Sequence, residues 1–181
     1  MDESDLLQLA AAQHGYFSTA QAAAAGISRR ALVDRVRRGV IERATHGVYR
    51  LAGTPATQLD SFYAFSVKAP SATFSHDTAL ELYGVSDVLP RTVHVTVPPG
   101  SGLKRRPGYT IHRSALSPSE RVLRDGVWVT SLARTLADCA KGGTDPEQLV
   151  AALSEGRARA MLAPDDISRL RRLYPFTTAR P

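Results

Sequence analysis

The chain is poor in cysteine, in lysine and in long apolar runs, and each shortage removes a class of function. Cys139 is the single cysteine among 181 residues, so no intramolecular disulfide can form and a cysteine-rich zinc site is excluded. It shares a helical face with Leu132 and Leu136, which reads as a buried structural thiol rather than a nucleophile. No apolar stretch approaches the roughly 20 residues of a membrane span. The opening Met1-Asp2-Glu3-Ser4-Asp5 is acidic where a secretory leader is basic. A cytoplasmic protein with no membrane partner is expected. The only lysines are Lys68, Lys104 and Lys141, and none has an acid two positions before it. The Asp/Glu-x-Lys triplet of many metal-dependent nucleases is therefore missing. Neither a phosphate-binding Gly-Lys-Ser/Thr loop nor a nucleophile elbow occurs. No enzyme chemistry is expected, and no cofactor.

What the chain does have is arginine. Of 23 basic residues, 20 are arginine, against 17 acids, and the net charge is +6. Arginine suits planar, bidentate contacts with phosphate and guanine. Genome composition can also enrich arginine, so position matters more than number. From Gly26 to Gly53 seven arginines face only Asp34 and Glu42, a net charge of +5 in 28 residues.

That segment sits in a recognisable order of elements. Ser4 is a helix cap before Asp5–Gln13, and His14-Gly15 supplies a stop. Tyr16-Phe17 reads as a brief strand. Ser18-Thr19-Ala20-Gln21 is a capping box opening a short alanine-rich helix, which Gly26 ends. Ser28 caps a third helix, Arg29–Arg38, closed by Gly39. Val40–Thr45 and Val48–Leu51 are β-prone runs around His46-Gly47, the pattern of a hairpin. Helix, strand, helix, tight turn, helix, hairpin is the order of a winged helix-turn-helix.

In the third helix Leu32, Val33 and Val36 are assigned to the packed face, and Arg30, Asp34, Arg37 and Arg38 to the open one. The second helix of such a pair enters the major groove and its early residues meet base edges. Arg30 and Arg37 are the candidates for groove contacts, and Arg29, Arg38, Ser28 and Thr19 for phosphates. Arg43, His46 and Arg50 on the hairpin are placed on backbone or an adjacent minor groove.

The run Gly15-Tyr16-Phe17, Gly26-Ile27-Ser28-Arg29, Leu32, Arg38-Gly39-Val40-Ile41-Glu42-Arg43 and His46-Gly47-Val48-Tyr49 resembles the N-terminal domain of AbiEi-type antitoxins. The stretch Gly126-Val127-Trp128-Val129-Thr130-Ser131-Leu132 with Arg134-Thr135-Leu136-Ala137-Asp138 more loosely resembles their C-terminal part. The resemblance implies a DNA-binding winged helix and an antitoxin that represses its own operon. It further implies repeats in that operator and a nucleotidyltransferase-like toxin encoded alongside. Such an antitoxin opposes its toxin functionally; whether the two form a direct complex is left open.

Gly53-Thr54-Pro55 breaks the pattern, giving expected domains at 1–53 and 54–181. In the second, helices are expected at Gln58–Lys68, His76–Tyr83, Leu132–Ala140, after Asp145-Pro146, and at Pro164–Leu173. Strands are expected at Thr92–Val97, Tyr109–Arg113 and Val127–Val129. The expected fold is mainly α with small sheets: a winged helix-turn-helix followed by an α+β domain with a core around Val93, Val95, Ile111, Leu132 and Leu136.

Two features are set aside. His94 and His112 lie on the polar faces of two expected strands, with His76-Asp77 at a helix start. A metal site needs three or four converging ligands, so they are read as polar strand residues and no metal is expected. Lys104-Arg105-Arg106 is read as a solvated loop tip, with a secondary phosphate contact or an acidic partner as its alternative. The competing function is a protein-interaction module whose winged helix binds the toxin or another protein, since fold alone does not fix function.

Overall fold

The computed structural model describes residues 3–174. Eight α-helices and two small sheets are found among them. The chain divides into two compact units, one comprising residues up to Pro70 with Asp125–Val127, the other Ser71–Arg124 with the chain from Trp128. The first unit runs past the Gly53-Thr54-Pro55 break and takes in the helix that follows it.

In the first unit the order is α1 (Glu3–Ala12), β1 (Tyr16–Ser18), α2 (Thr19–Ala24), α3 (Arg29–Arg37), β2 (Ile41–Thr45), β3 (Val48–Leu51) and α4 (Asp60–Lys68). Ser4 falls inside α1 rather than before it. The other caps form as the residue types dictate. Ser18 Oγ accepts from the Gln21 amide at 3.1 Å while Gln21 Oε1 accepts from the Ser18 amide at 2.8 Å, a reciprocal box that satisfies two donors. Ser28 Oγ accepts from the Ala31 amide at 3.2 Å and starts α3. Between α2 and α3 the chain reverses through Gly26, whose φ of +76° favours glycine.

β1, β3 and β2 form an antiparallel sheet in that order. Leu6 and Ala10 of α1, Ala22 of α2, Leu32 of α3, Phe17 and Ile41 close into one core, with Val36, Tyr49 and Leu51 packed on its edge. Val33 does not join it, contrary to the helical-wheel assignment; it is 47% exposed. The packed face of α3 centres on Leu32 and Val36. Val33 stands four residues from both Arg29 and Arg37 and shares their stripe instead.

In the second unit the elements are β4 (Thr73–Phe74), α5 (His76–Tyr83), β5 (Val93–Val97), β6 (Tyr109–Arg113), a 3-10 turn (Pro118–Glu120), β7 (Arg121–Arg124), β8 (Val127–Thr130), α6 (Leu132–Gly142), α7 (Pro146–Ala158) and α8 (Pro164–Leu173). The five-stranded sheet runs β6-β5-β4-β8-β7. β5 pairs parallel with β6 and antiparallel with β4, and β4 pairs parallel with β8. Val95, Val129, Leu136, Cys139 and Leu149 are fully enclosed. Val93 and Ile111, assigned to this core from the sequence, are only half-buried. β6 is an edge strand, so one flank of Ile111 has no neighbouring strand.

Candidate nucleic-acid interface

The exposed face of α3 carries Arg29, Arg30, Arg37 and Arg38, all open to solvent. No ion pair or hydrogen bond from these four guanidinium groups is made among the described residues. The only acid of the helix is Asp34, also exposed. Four like charges on about three turns repel one another, and the single carboxylate of Asp34 offsets them only in part. A surface so built attracts polyanions electrostatically.

Beside this face the hairpin β2–β3 raises its turn at His46-Gly47. Gly47 adopts φ +75°, and its carbonyl accepts from both the amide (2.9 Å) and the hydroxyl (3.3 Å) of Thr19. The start of α2 therefore fixes the hairpin tip. Arg43 lies across from the tip and donates to His46 Nδ1 at 3.2 Å. Thr19, Arg29, Val33, Arg43, His46, Gly47 and Tyr49 line one concave groove between α3 and the hairpin. Four cationic or polar side chains, those of Thr19, Arg29, Arg43 and His46, thus surround an apolar floor made by Val33 and Tyr49.

Six of the nine residues proposed from the sequence stand on this surface in the open: Arg29, Arg30, Arg37, Arg38, Arg43 and His46. Ser28 is also exposed. Its oxygen accepts from the Ala31 amide, which leaves its O–H free to donate. The remaining two are engaged elsewhere. The Thr19 hydroxyl is spent on the hairpin tip and holds it in position. Arg50 donates to Glu42 at 2.7 Å and Asp60 at 3.0 Å, with its side chain only 19% exposed. That guanidinium ties β3 to β2 and α4, and it does not face the groove.

Two residues escaped the sequence reading. Val33 was assigned to the core, yet it is the apolar element of the groove. Lys68, in the last turn of α4, donates to the His46 carbonyl at 3.2 Å and adds a cation beside the hairpin tip. No local pattern signals it, because α4 reaches the hairpin only through the fold.

A family profile described as "Transcriptional regulator, AbiEi antitoxin" matches residues 4–52. One described as "AbiEi antitoxin C-terminal domain" matches residues 71–180. The chain belongs to the AbiEi antitoxin family. Its regulator segment contains α1 to β3, the whole of the basic groove except Lys68. No curated protein is matched. Among solved structures, the crystal structure of the RV2827C protein from Mycobacterium tuberculosis is similar in fold, at 15% identity and a TM-score of 0.53. The alignment covers 94% of this chain and 70% of that one. No helix among the described residues of this AbiEi-family chain is long and apolar enough to cross a membrane.

Proposed function

We propose that the protein is a sequence-specific DNA-binding antitoxin, using its first unit as a winged helix-turn-helix to repress its own operon. The observation that carries this reading is the set of exposed arginines Arg29, Arg30, Arg37 and Arg38 on α3, which have no partner among the described residues and are flanked by Arg43 and Lys68 at the hairpin. With α3 in a major groove, Arg30 and Arg37 reach base edges. Val33 stands beside them, placed for contact with a thymine methyl. Arg29 and Arg38 at the ends of α3, the Ser28 hydroxyl, and Arg43, His46 and Lys68 at the hairpin fall to the phosphate backbone. Thr19 and Arg50 support the hairpin from behind. The second unit carries the activity against the toxin, a nucleotidyltransferase-like protein encoded alongside.

The test is binding of the full chain to the DNA upstream of its own gene, with shuffled DNA of equal length as the competitor. Preference for the upstream fragment supports the reading. Equal binding to both removes the sequence-specific part. No binding at low salt removes DNA altogether and leaves the winged helix as a protein-docking module.

A further inference from the structure

We propose that the second unit binds one zinc-class divalent transition-metal ion between His76, His94 and His112. The three imidazoles come from three elements that only the fold unites. His94 lies on β5 and His112 on β6. In the parallel register His94 opposes Thr110 and Thr96 opposes His112, so the two histidines point to the same face of the sheet. His76 is the first residue of α5. One ring nitrogen from each lies within 4.8 Å of the other two.

The distances suit a metal. His94 Nδ1 and His112 Nε2 are 3.2 Å apart. Two imidazole ligands of a tetrahedral ion, each at 2.0–2.1 Å, stand about 3.3 Å apart. The ring of His76 lies over that of His112, with centroids 3.6 Å apart and planes within 11°. The His76 nitrogen lies within 4.8 Å of the other two, a gap that would have to narrow on binding.

The backbone at His76 is itself unusual. Its φ of +53° is left-handed in a residue with a side chain, a conformation that costs on the order of 1–3 kcal/mol and collects at functional sites. Ser75, the residue before it, is placed to cap α5 yet makes no side-chain cap bond. Its Oγ instead lies 3.0 Å from His76 Nδ1 and accepts from Thr96 Oγ1 at 2.9 Å. That contact engages Nδ1 and leaves Nε2 as the free donor atom, as partners outside the coordination sphere do for ligating histidines.

The electrostatics agree. Burial, and then the neighbouring rings, lower the His76 pKa to about 3; burial lowers those of His94 and His112 as well. Burial thus favours the neutral ring, the form that ligates, at a site the geometry already defines. The Asp77 carboxylate acts on His76 and His94 from close by. It is held by Thr144 Oγ1 at 2.6 Å and by the Cys139 thiol at 3.6 Å, and it supplies negative potential without being a fourth ligand. Burial pushes the Cys139 thiol well up, so it stays protonated. Three nitrogen donors select zinc, cobalt, nickel or copper over magnesium and calcium, which require oxygen. A bound ion would pin the edge strand β6 to the start of α5.

The test uses the untagged full chain after chelator treatment. Cobalt(II) is titrated in as a spectroscopic stand-in for zinc. The expected result is one equivalent bound, with visible d–d absorption of a four- or five-coordinate ion that zinc abolishes. In the 15N-labelled wild type, zinc should shift the imidazole signals of His76, His94 and His112 and leave those of His14 and His46 in place. His112→Gln, on the edge strand, should weaken binding by at least about tenfold. The proposal is overturned if cobalt gives only the spectrum of the hexaaqua ion, or if the shifted rings are His14 and His46. The wild-type spectra decide the matter even if the variant fails to fold.

Discussion

The salt dependence of DNA binding gives the sharpest check on the proposed interface. Six cations stand on it: Arg29, Arg30, Arg37 and Arg38 on α3, Arg43 on the hairpin, and Lys68 at its tip. If Arg30 and Arg37 are directed at bases and the other four neutralise phosphates, log K falls against log salt with a slope of roughly −3.6. Between 50 and 200 mM salt that is a loss of about 150-fold in affinity. Removing one phosphate contact with Arg43→Ala should reduce the slope by about 0.9. Arg50→Ala behaves differently because Glu42 and Asp60 already hold its guanidinium. It should loosen the attachment of α4 and lower the melting temperature, with the slope unchanged. The assay is fluorescence anisotropy on the upstream DNA at five or more salt concentrations for each variant. A slope near zero would refute the interface. A fall in slope for Arg50→Ala equal to that for Arg43→Ala would refute the assignment of Arg50 as a brace.

Three further outcomes are expected. Arg30→Ala should cost about 1–3 kcal/mol against the preferred DNA and relax the sequence preference, seen as a narrowed gap between upstream and shuffled DNA in competition. Leu32→Ala and Val33→Ala are adjacent in sequence and should separate in denaturant melts. Leu32 is 1% exposed and its loss should destabilise by about 2–5 kcal/mol, whereas Val33→Ala should stay within about 0.5 kcal/mol and alter DNA preference alone. For Glu120, burial opposes ionisation, but the Ser117 amide and Arg134 outweigh it and hold the carboxyl below the ordinary glutamate range. A carboxylate with a lowered native pKa contributes stability above its ordinary pKa, and that contribution is lost as pH falls through the native value. Wild type should therefore lose more stability than Glu120→Gln between about pH 5 and pH 3, measured as the difference in melting temperature.

The first unit was legible in the sequence because its signals are local. Ser18 with Gln21, Ser28 before Arg29, and the glycines at 26, 39 and 47 each specify a cap or turn within four residues. Its side-chain roles were less legible wherever they depend on residues far along the chain. Nothing near Arg50 shows that Asp60 lies within 3.0 Å of it, and nothing near Lys68 points to His46. Val33 was misplaced for a different reason. A helical wheel ranks residues by polarity, and an apolar side chain at the rim of the packed face is drawn inward by that rule.

In the second unit the helices His76–Tyr83 and Pro164–Leu173 were read at the ends they have. The two-residue strand β4 was not, although it is the middle strand of the sheet. Its neighbours Ala72 and Ser75 are buried too, so the alternation that marks a half-buried strand is missing. The histidines show the same limit. His94 and His112 were placed on polar strand faces correctly. That α5 begins over the same face is a product of topology, and only there does a third ring join the pair.

The chain uses arginine in two opposite ways, and the contrast bears on how a basic protein should be read. In the second unit Arg134 donates to Glu120 at 2.9 Å and to Asp138 at 2.8 Å. Arg159 pairs with Glu155 and Arg169 with Asp166. Arg106, Arg121 and Arg124 lie over the rings of Tyr109, Trp128 and Tyr83. Each of these charges is matched by a carboxylate or an aromatic face within the unit. Even Lys104-Arg105-Arg106 is partly accounted for, since Arg106 stacks on Tyr109 and only its two neighbours project freely. For Arg29, Arg30, Arg37 and Arg38 no such partner is found among the described residues. Arginines that brace a fold and arginines that await a polyanion are identical in composition and differ only in their partners. The excess charge of +6 thus argues for nucleic acid through four residues of one helix rather than through its total. A protein of equal charge whose helix arginines were all paired would give no reason to expect DNA.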